Sequence, residues 1–236
     1  DVRVRQALTL AVDRYSASKY LSNIAIVKTV GGIVFPGHPL AANQAEMEQL
    51  IGYSKDIEAS RAKARQLLKD AGVPEGFKFI FNNRGVDQPY KVVGTWLVDQ
   101  WRKVGLDPQQ TVKPSPQFYA TLRKKYDFDV SIDFNCQSVI NPIADVSKFL
   151  CSAGNNYSQC DNQEIEDLYD RLMKAATLDE QKAAMRAYEK AAVDFAGSSI
   201  TLWWYKINPH RSYVKGWNIA PSHYLNQHLD NVWLDQ

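Results

Sequence analysis

Long apolar runs are missing from this sequence. No stretch approaches the roughly 18 residues that cross a bilayer as a helix, so no transmembrane helix is expected. An excess of one charge is missing too. The 28 Lys and Arg face 26 Asp and Glu, a net charge of +2, which argues against a dedicated nucleic-acid binder. Neither a G-x-G-x-x-G nor a P-loop occurs, and H-E-x-x-H, C-x-x-C and the G-x-S-x-G elbow are also absent. No cofactor is therefore expected. Histidine is scarce. His38, His210, His223 and His228 include no pair three or four apart on an expected helix, so surface roles are expected. A metal site would have to be assembled from distant segments.

What is present suits a folded domain. At about 150 residues per domain, 236 residues make one large domain or two small ones. The 45% apolar content is enough for a core and excludes a disordered chain. Six Trp, twelve Tyr and nine Phe are a generous supply of rings, which serve a core and also line recognition sites. The chain opens directly on an amphipathic pattern, with Val4, Ala7, Leu8, Ala11 and Val12 on one helical face. It shows no charged-then-apolar leader, so it reads as a fragment of something longer rather than an unprocessed precursor.

The first helix continues or restarts near residues 16–20. Residues 31–53 lose periodicity, and Gly31-Gly32, Pro36-Gly37 and Pro39 suggest a loop over the surface. Ser54 or Asp56 can cap the next helix, which Gly72 ends. Then strand and helix alternate: a strand over 77–81, a helix over 90–104, a strand over 106–112, a helix over 115–125 and a strand over 128–134. That order predicts an α/β fold, a mostly parallel sheet flanked by helices. Ligands of such sheets sit beyond the carboxyl ends of the strands, here Asn82-Asn83-Arg84 and Phe134-Asn135-Cys136-Gln137. Two amphipathic helices follow over 164–176 and 179–196. An aromatic strand over 200–205 precedes a loop-rich C-terminal tail.

Among chemistry-bearing residues, Cys151 and Cys160 bracket a Gly-, Ser- and Asn-rich segment. It suits either a short disulfide loop of an oxidising compartment or two reduced thiols. Cys136 is left over, and as a nucleophile it would need a His partner that no local signature names. Glu164, Glu166, Asp167 and Asp170 read as a solvated helix face. Arg123-Lys124-Lys125 is a basic cluster at a helix end, where cations suit the dipole. On the aromatic strand, alternation puts Trp204 on one face and Trp203 and Tyr205 on the other, so one face can serve a cleft.

Several segments, taken in order, resemble one family. Residues 4–14 resemble a VRQALxxAIDR segment of the family 5 extracytoplasmic solute-binding proteins, the peptide-, nickel- and oligosaccharide-binding components of ABC importers. Further resemblances are the Pro36-Gly-His-Pro39 loop, the Tyr53, Asp56 and 62–72 stretch, the junction at 101–106, the 151–160 loop and residues 214–217. The resemblance implies a periplasmic-binding-protein type II-like lobe. Residues 1–205 would be the second lobe of a two-lobed protein, and 206–236 a C-terminal segment returning toward the first. It further implies a Cys151–Cys160 disulfide, an extracytoplasmic location, a permease partner and no catalysis.

The departures from the family pattern bear on the ligand. Dipeptide binders of this family grip a zwitterion with an Arg just before a Pro-Tyr pair and an Asp after the third strand. Here those positions hold Gln88, before Pro89-Tyr90, and Gln137, and the usual Asp-Pro is Asn141-Pro142. A buried charged terminus needs an opposite charge, which an amide does not supply. A longer peptide held by its backbone, a sugar or another neutral polar solute is expected instead. Phe134, Trp203, Trp204 and Tyr90 would give apolar or stacking contacts, and Asn135, Gln137, Gln88, Asn141 and Arg84 hydrogen bonds. The rival is a hydrolase using Cys136 or a Ser with a tail His, which requires that pair within hydrogen-bond reach. A third reading, a structural or adhesion module, requires no cleft at the strand ends.

Overall fold

In the computed structural model, which describes residues 1–125, 127–135, 141–205, 207–219 and 228–235, a three-stranded parallel sheet organises the middle of the chain. Strand β2 (Phe77–Arg84) lies between β3 (Leu106–Lys113) and β4 (Val130–Ser131). Phe77 pairs with Leu106 and Arg84 with Lys113, while Phe81 and Asn82 pair with Val130 and Ser131. Helix α5 (Val92–Arg102) crosses from β2 to β3, and α6 (Ser115–Ala120) follows β3.

Sequence periodicity explains the packing. Alternate residues of β2 face α5, so Phe79 and Phe81 meet the Trp101 ring edge-on at 5.6 and 5.0 Å. Helix α5 answers with Val93, Leu97 and Trp101, all buried. Gly94 lets the helix close on the sheet, because a Cβ there would lie 1.8 Å from Asn83 Oδ1. Asn82 and Asn83 are inside β2 and fully buried, not beyond its end as the sequence reading had them.

The N-terminal elements flank this core. Helix α1 (Val2–Leu10) packs on α4 (Ile57–Asp70), and α2 (Arg14–Leu21) starts afresh at Asp13, whose carboxylate accepts from Ser16 N. Asp56, not Ser54, caps α4. The segment over 31–53 is no surface wrap. It contains α3 (Gln44–Met47), and Ile33, Val34, Leu40, Leu50 and Tyr53 are buried in a second core against α8 (Gln163–Lys174) and α9 (Leu178–Phe195). An irregular segment that plugs a core shows no period, which is why it read as a loop.

Three expected elements are shorter or placed differently. Strand β4 is only two residues long, and just before it the Asp129 carboxylate takes the Ile80 N–H at 2.7 Å in place of a ladder carbonyl. The expected helix over 115–125 is regular only to Ala120 and then widens into a π-turn over Thr121–Lys125. The aromatic strand is β5 (Trp203–Trp204), and it pairs antiparallel with β1 (Val27–Thr29), outside the parallel sheet. In the tail, β6 (Val214–Lys215) and β7 (Trp233–Leu234) form a separate antiparallel pair.

Arg14 ties these parts together. It is 1% exposed, and its guanidinium donates to the carbonyls of Thr9, Val12, Gly52 and Ile200 and to Ser199 Oγ. Its face lies 4.8 Å from the Tyr53 ring. Thr9 and Val12 are at the carboxyl end of α1, where carbonyls carry partial negative charge. Arg14→Met should cost about 3 kcal/mol or more, since it strands several buried acceptors at once. Urea unfolding of the complete protein measures this, and a change below about 1 kcal/mol would contradict the assigned role.

Candidate functional site

The carboxyl ends of β2 and β4 carry a connected group of rings and charges. Arg84, the last residue of β2, lies over the Tyr90 ring at 5.1 Å and the Tyr119 ring at 5.3 Å. Its Nε donates to Ser115 Oγ at 2.8 Å, and Nη1 reaches the Tyr90 and Tyr119 hydroxyls at 3.3 and 3.4 Å. Arg123 lies 5.0 Å from the same Tyr119 ring and donates from Nε to the Tyr157 hydroxyl at 3.2 Å. Tyr119 and Arg123 are four residues apart on one helical run, which puts them on one face.

On the other side of Tyr90, three rings close a triangle. Tyr90 meets Trp204 at 6.0 Å and Phe134 at 6.3 Å, and Phe134 meets Trp204 at 5.9 Å. The two pairs made by Tyr90 are edge-to-face and the third is tilted by 35°, and such pairs add about 0.5–1.5 kcal/mol beyond area burial. Tyr90 is buried, and burial, opposed by Arg84, pushes its hydroxyl up to about 12. Phe134 stays 36% exposed. The β1–β5 pairing brings Trp204 here from the far end of the chain.

Asp133 lies beneath this group. Its side chain is 21% exposed, with Lys148 Nζ at 4.0 Å. Its Oδ1 is buried without a hydrogen-bond partner among the described residues. Burial raises its pKa above the ordinary 3.8, opposed by Lys148, by the Phe134 backbone and by Arg84 and Arg123.

Arg84, Tyr90, Phe134 and Trp204 are thus brought together, and Asn135 adjoins Phe134 half-buried. Other expected contacts are engaged elsewhere. Gln88 donates to the Ile24 carbonyl at 2.7 Å. Trp203 points away from Trp204, donates to the Gly32 carbonyl at 3.0 Å and packs on Gly31. Asn141 caps α7 (Pro142–Asp145) by accepting from Ile143 N. Gln137 and Cys136 lie outside the described residues, as does His223. His38 accepts from Leu40 N, and His210 lies 3.3 Å from the Asn208 carbonyl.

Sequence reasoning missed Tyr119, Arg123 and Asp133. The four-residue spacing of Tyr119 and Arg123 was a signal for the first two. Strand alternation, which separates Asp133 from Phe134, was the signal for the third. The Cys151–Cys160 disulfide is present, with the Cα atoms 5.1 Å apart. It closes the loop that carries Tyr157, and closing so short a loop is worth about 2–3 kcal/mol on the chain-entropy model. Among the described residues, no group of three His, Cys, Asp or Glu converges, and no helix is long and apolar enough to cross a membrane.

Comparison with known proteins supplies the wider frame. The family described as bacterial extracellular solute-binding proteins, family 5 Middle, matches residues 1–157. A dipeptide-binding protein of Escherichia coli is 25% identical over 248 aligned positions, which take in 100% of this chain and 43% of that protein. The Helicobacter pylori periplasmic binding protein DppA, solved with the peptide STSA, superposes at a TM-score of 0.76 and 18% identity. It is matched over 100% of this chain and 44% of its own. Haemophilus influenzae OppA, solved with RPPGFSPFR, gives a TM-score of 0.76 at 19% identity, over 100% of this chain and 46% of its own. The chain therefore spans less than half the length of these relatives, and its fold is that of periplasmic binding proteins.

The raised pKa of Asp133 has a stability consequence. The folded state holds that proton more tightly than the unfolded chain does. Stability attributable to Asp133 is therefore greatest below 3.8 and falls as pH rises through the folded value. Asp133→Asn should flatten that decline and leave the protein more stable at neutral pH. Urea midpoints between roughly pH 3 and 8 test it. A variant less stable than the parent at neutral pH would show that the Lys148 attraction outweighs burial.

Proposed function

We propose that this chain, which belongs to the bacterial extracellular solute-binding proteins of family 5, is the second lobe of a two-lobed receptor serving an ABC importer. The receptor would capture a peptide-like or other polar solute outside the cytoplasm and deliver it to a membrane permease. The observation that carries this reading is the convergence of Arg84, Tyr90, Phe134 and Trp204 at the carboxyl ends of a parallel sheet. The group is assembled from three distant parts of the chain, yet it leaves Phe134 partly exposed and Arg84 only half-buried. It offers stacking and hydrogen bonding on one side and needs a second surface to enclose a ligand.

Residues 1–205 form the lobe in this reading, and 206–236 return toward the first lobe. In support, Tyr213, Ile219, Leu229, Trp233 and Leu234 of that tail are all exposed. Apolar side chains gathered at one end of a chain suit a covered surface. The disulfide supports an extracytoplasmic location, since reducing compartments do not maintain such bonds. The ligand leaves unchanged, and no observation favours the hydrolase reading over this one.

Mechanism follows from enclosure. The solute lies against the aromatic triangle, with Arg84 as a fixed donor. Closure of the lobes excludes water and strengthens every polar contact inside. Ligand drives closure only as far as it binds the closed form better than the open one. The relatives' solved ligands are a tetrapeptide and a nonapeptide, and the Escherichia coli relative is named for dipeptides. Gln88 donates to Ile24 here, which supports a ligand not gripped by charge at that position.

A thermal-shift screen of the complete two-lobed protein tests the reading, with dipeptides, longer peptides and oligosaccharides as ligands. A true ligand at 100 times its Kd should stabilise by about 2.7 kcal/mol and be recovered intact. Trp204→Ala should weaken binding about tenfold or more, as loss of a buried ring contact. Consumption of a compound, or no shift with any class, would overturn the proposal.

A further inference from the structure

Arg84 and Arg123 share a single ring. Both guanidiniums stack on Tyr119, and each uses its Nε on a hydroxyl, of Ser115 and Tyr157 respectively. Arg84 spends Nη1 on two tyrosine hydroxyls, leaving Nη2 without a partner among the described residues. Neither Nη of Arg123 has one. No carboxylate of the described residues lies within ion-pair distance of either. The nearby Asp133 has its own ion-pair contact with Lys148 and is mostly buried.

Stacking fixes what such groups can do. A guanidinium held by its face against a ring has its N–H edge turned outward and pre-oriented, so little freedom is lost when an anion arrives. Four neutral hydroxyls as neighbours orient the two cations without quenching them. The cations fixed in the interior meet stronger acceptors: Arg186 pairs with Glu189 in the second core at 2.8 Å, and Arg14 donates to four backbone carbonyls. Here two cations share one wall and no described acidic side chain answers them at contact.

We propose that Arg84 and Arg123 hold a carboxylate of the bound solute along the edge of the Tyr119 ring, so that the solute is an anion at that end. The proposal rests on the binding reading above and narrows it. It moves charge recognition away from Gln88, which is engaged with Ile24, to Arg84 at the end of β2 and Arg123 in the turn after α6. The carboxylate has three possible sources: a peptide chain end, an acidic side chain or a sugar acid.

Titration calorimetry on the complete two-lobed protein separates these cases. The probes are trialanine, its C-terminal amide, the amide of Ala-Ala-Glu, and a digalacturonate beside its neutral disaccharide. At least one acid should bind about tenfold or more tightly than its neutral partner. That ratio should shrink toward one in Arg84→Met and Arg123→Met, and in the parent protein at high salt. Arg84→Lys should retain part of it, as a charge without the planar fork. Arg123 is exposed, so Arg123→Met tests the idea even if the Arg84 variants fold poorly. Affinity restored to the amide by its glutamate would assign the carboxylate to a side chain, and failure to restore it to the chain end. Equal binding of acids and neutral partners overturns the proposal and leaves the binding function standing. An acid preference that survives both methionine variants also overturns it. No binding by any probe takes down both.

Discussion

A buried cation that no carboxylate of the described residues answers governs this structure. Burying a charge is costly unless hydrogen bonds replace its hydration. Arg14 meets that condition with five protein acceptors and the face of Tyr53. Only a guanidinium has the five donors in fixed geometry that this arrangement uses, and an ammonium would leave acceptors unmet. The acceptors come from the end of α1, from Gly52 and from residues 199 and 200. The N-terminal helices, the segment before α4 and the approach to β5 are therefore held to one point.

From that point the constraint runs to the site through short steps. Tyr53, stacked on Arg14, donates its hydroxyl to Gly31 O at 2.9 Å. Trp203 donates to Gly32 O, and buried Glu189 accepts from Ile33 N at 2.8 Å. Three consecutive backbone groups just after β1 are thus fixed by three different parts of the chain. A Cβ on Gly31 would meet the Trp203 ring at 2.8 Å, and one on Gly32 would meet Glu189 Oε1 at 1.8 Å. The glycines serve close approach rather than the loop flexibility their composition suggests. Because β1 is fixed, β5 is fixed, and Trp204 faces Tyr90 and Phe134 instead of solvent.

What could be read in advance follows the range of each signal. The alternation from β2 to β4, the Asp56 cap, the Gly72 stop and the opposed faces of Trp203 and Trp204 are written in a few neighbouring residues. All appear in the structure. The β1–β5 pairing joins residues about 175 positions apart, and no local pattern encodes it. Asn82 and Asn83 look like a polar strand end, yet they are buried because β2 continues past them to Arg84. The site was half legible for the same reason. Arg84, Phe134 and Trp204 follow from topology and alternation, and Tyr90 from the family resemblance at Pro89-Tyr90. Tyr119, Arg123 and Asp133 depend on how the widened turn after α6 and the short β4 set their side chains.

In the proposed receptor, these two halves of the site would divide the work of recognition. The aromatic triangle would be tolerant, since ring surfaces accept many apolar or planar groups at small individual cost. The arginine and tyrosine group is directional, because each guanidinium is turned by a ring face and held at Nε. A lobe that combines the two orients a solute by one end and leaves the rest loosely specified. Its half-exposed surface also explains why enclosure matters. Under that proposal the arginines would face water in the open lobe, where a carboxylate gains little, and would gain strength only when a second surface excludes that water. Affinity and closure would then be set by the same residues, which is the coupling a solute receptor needs to signal that it is loaded.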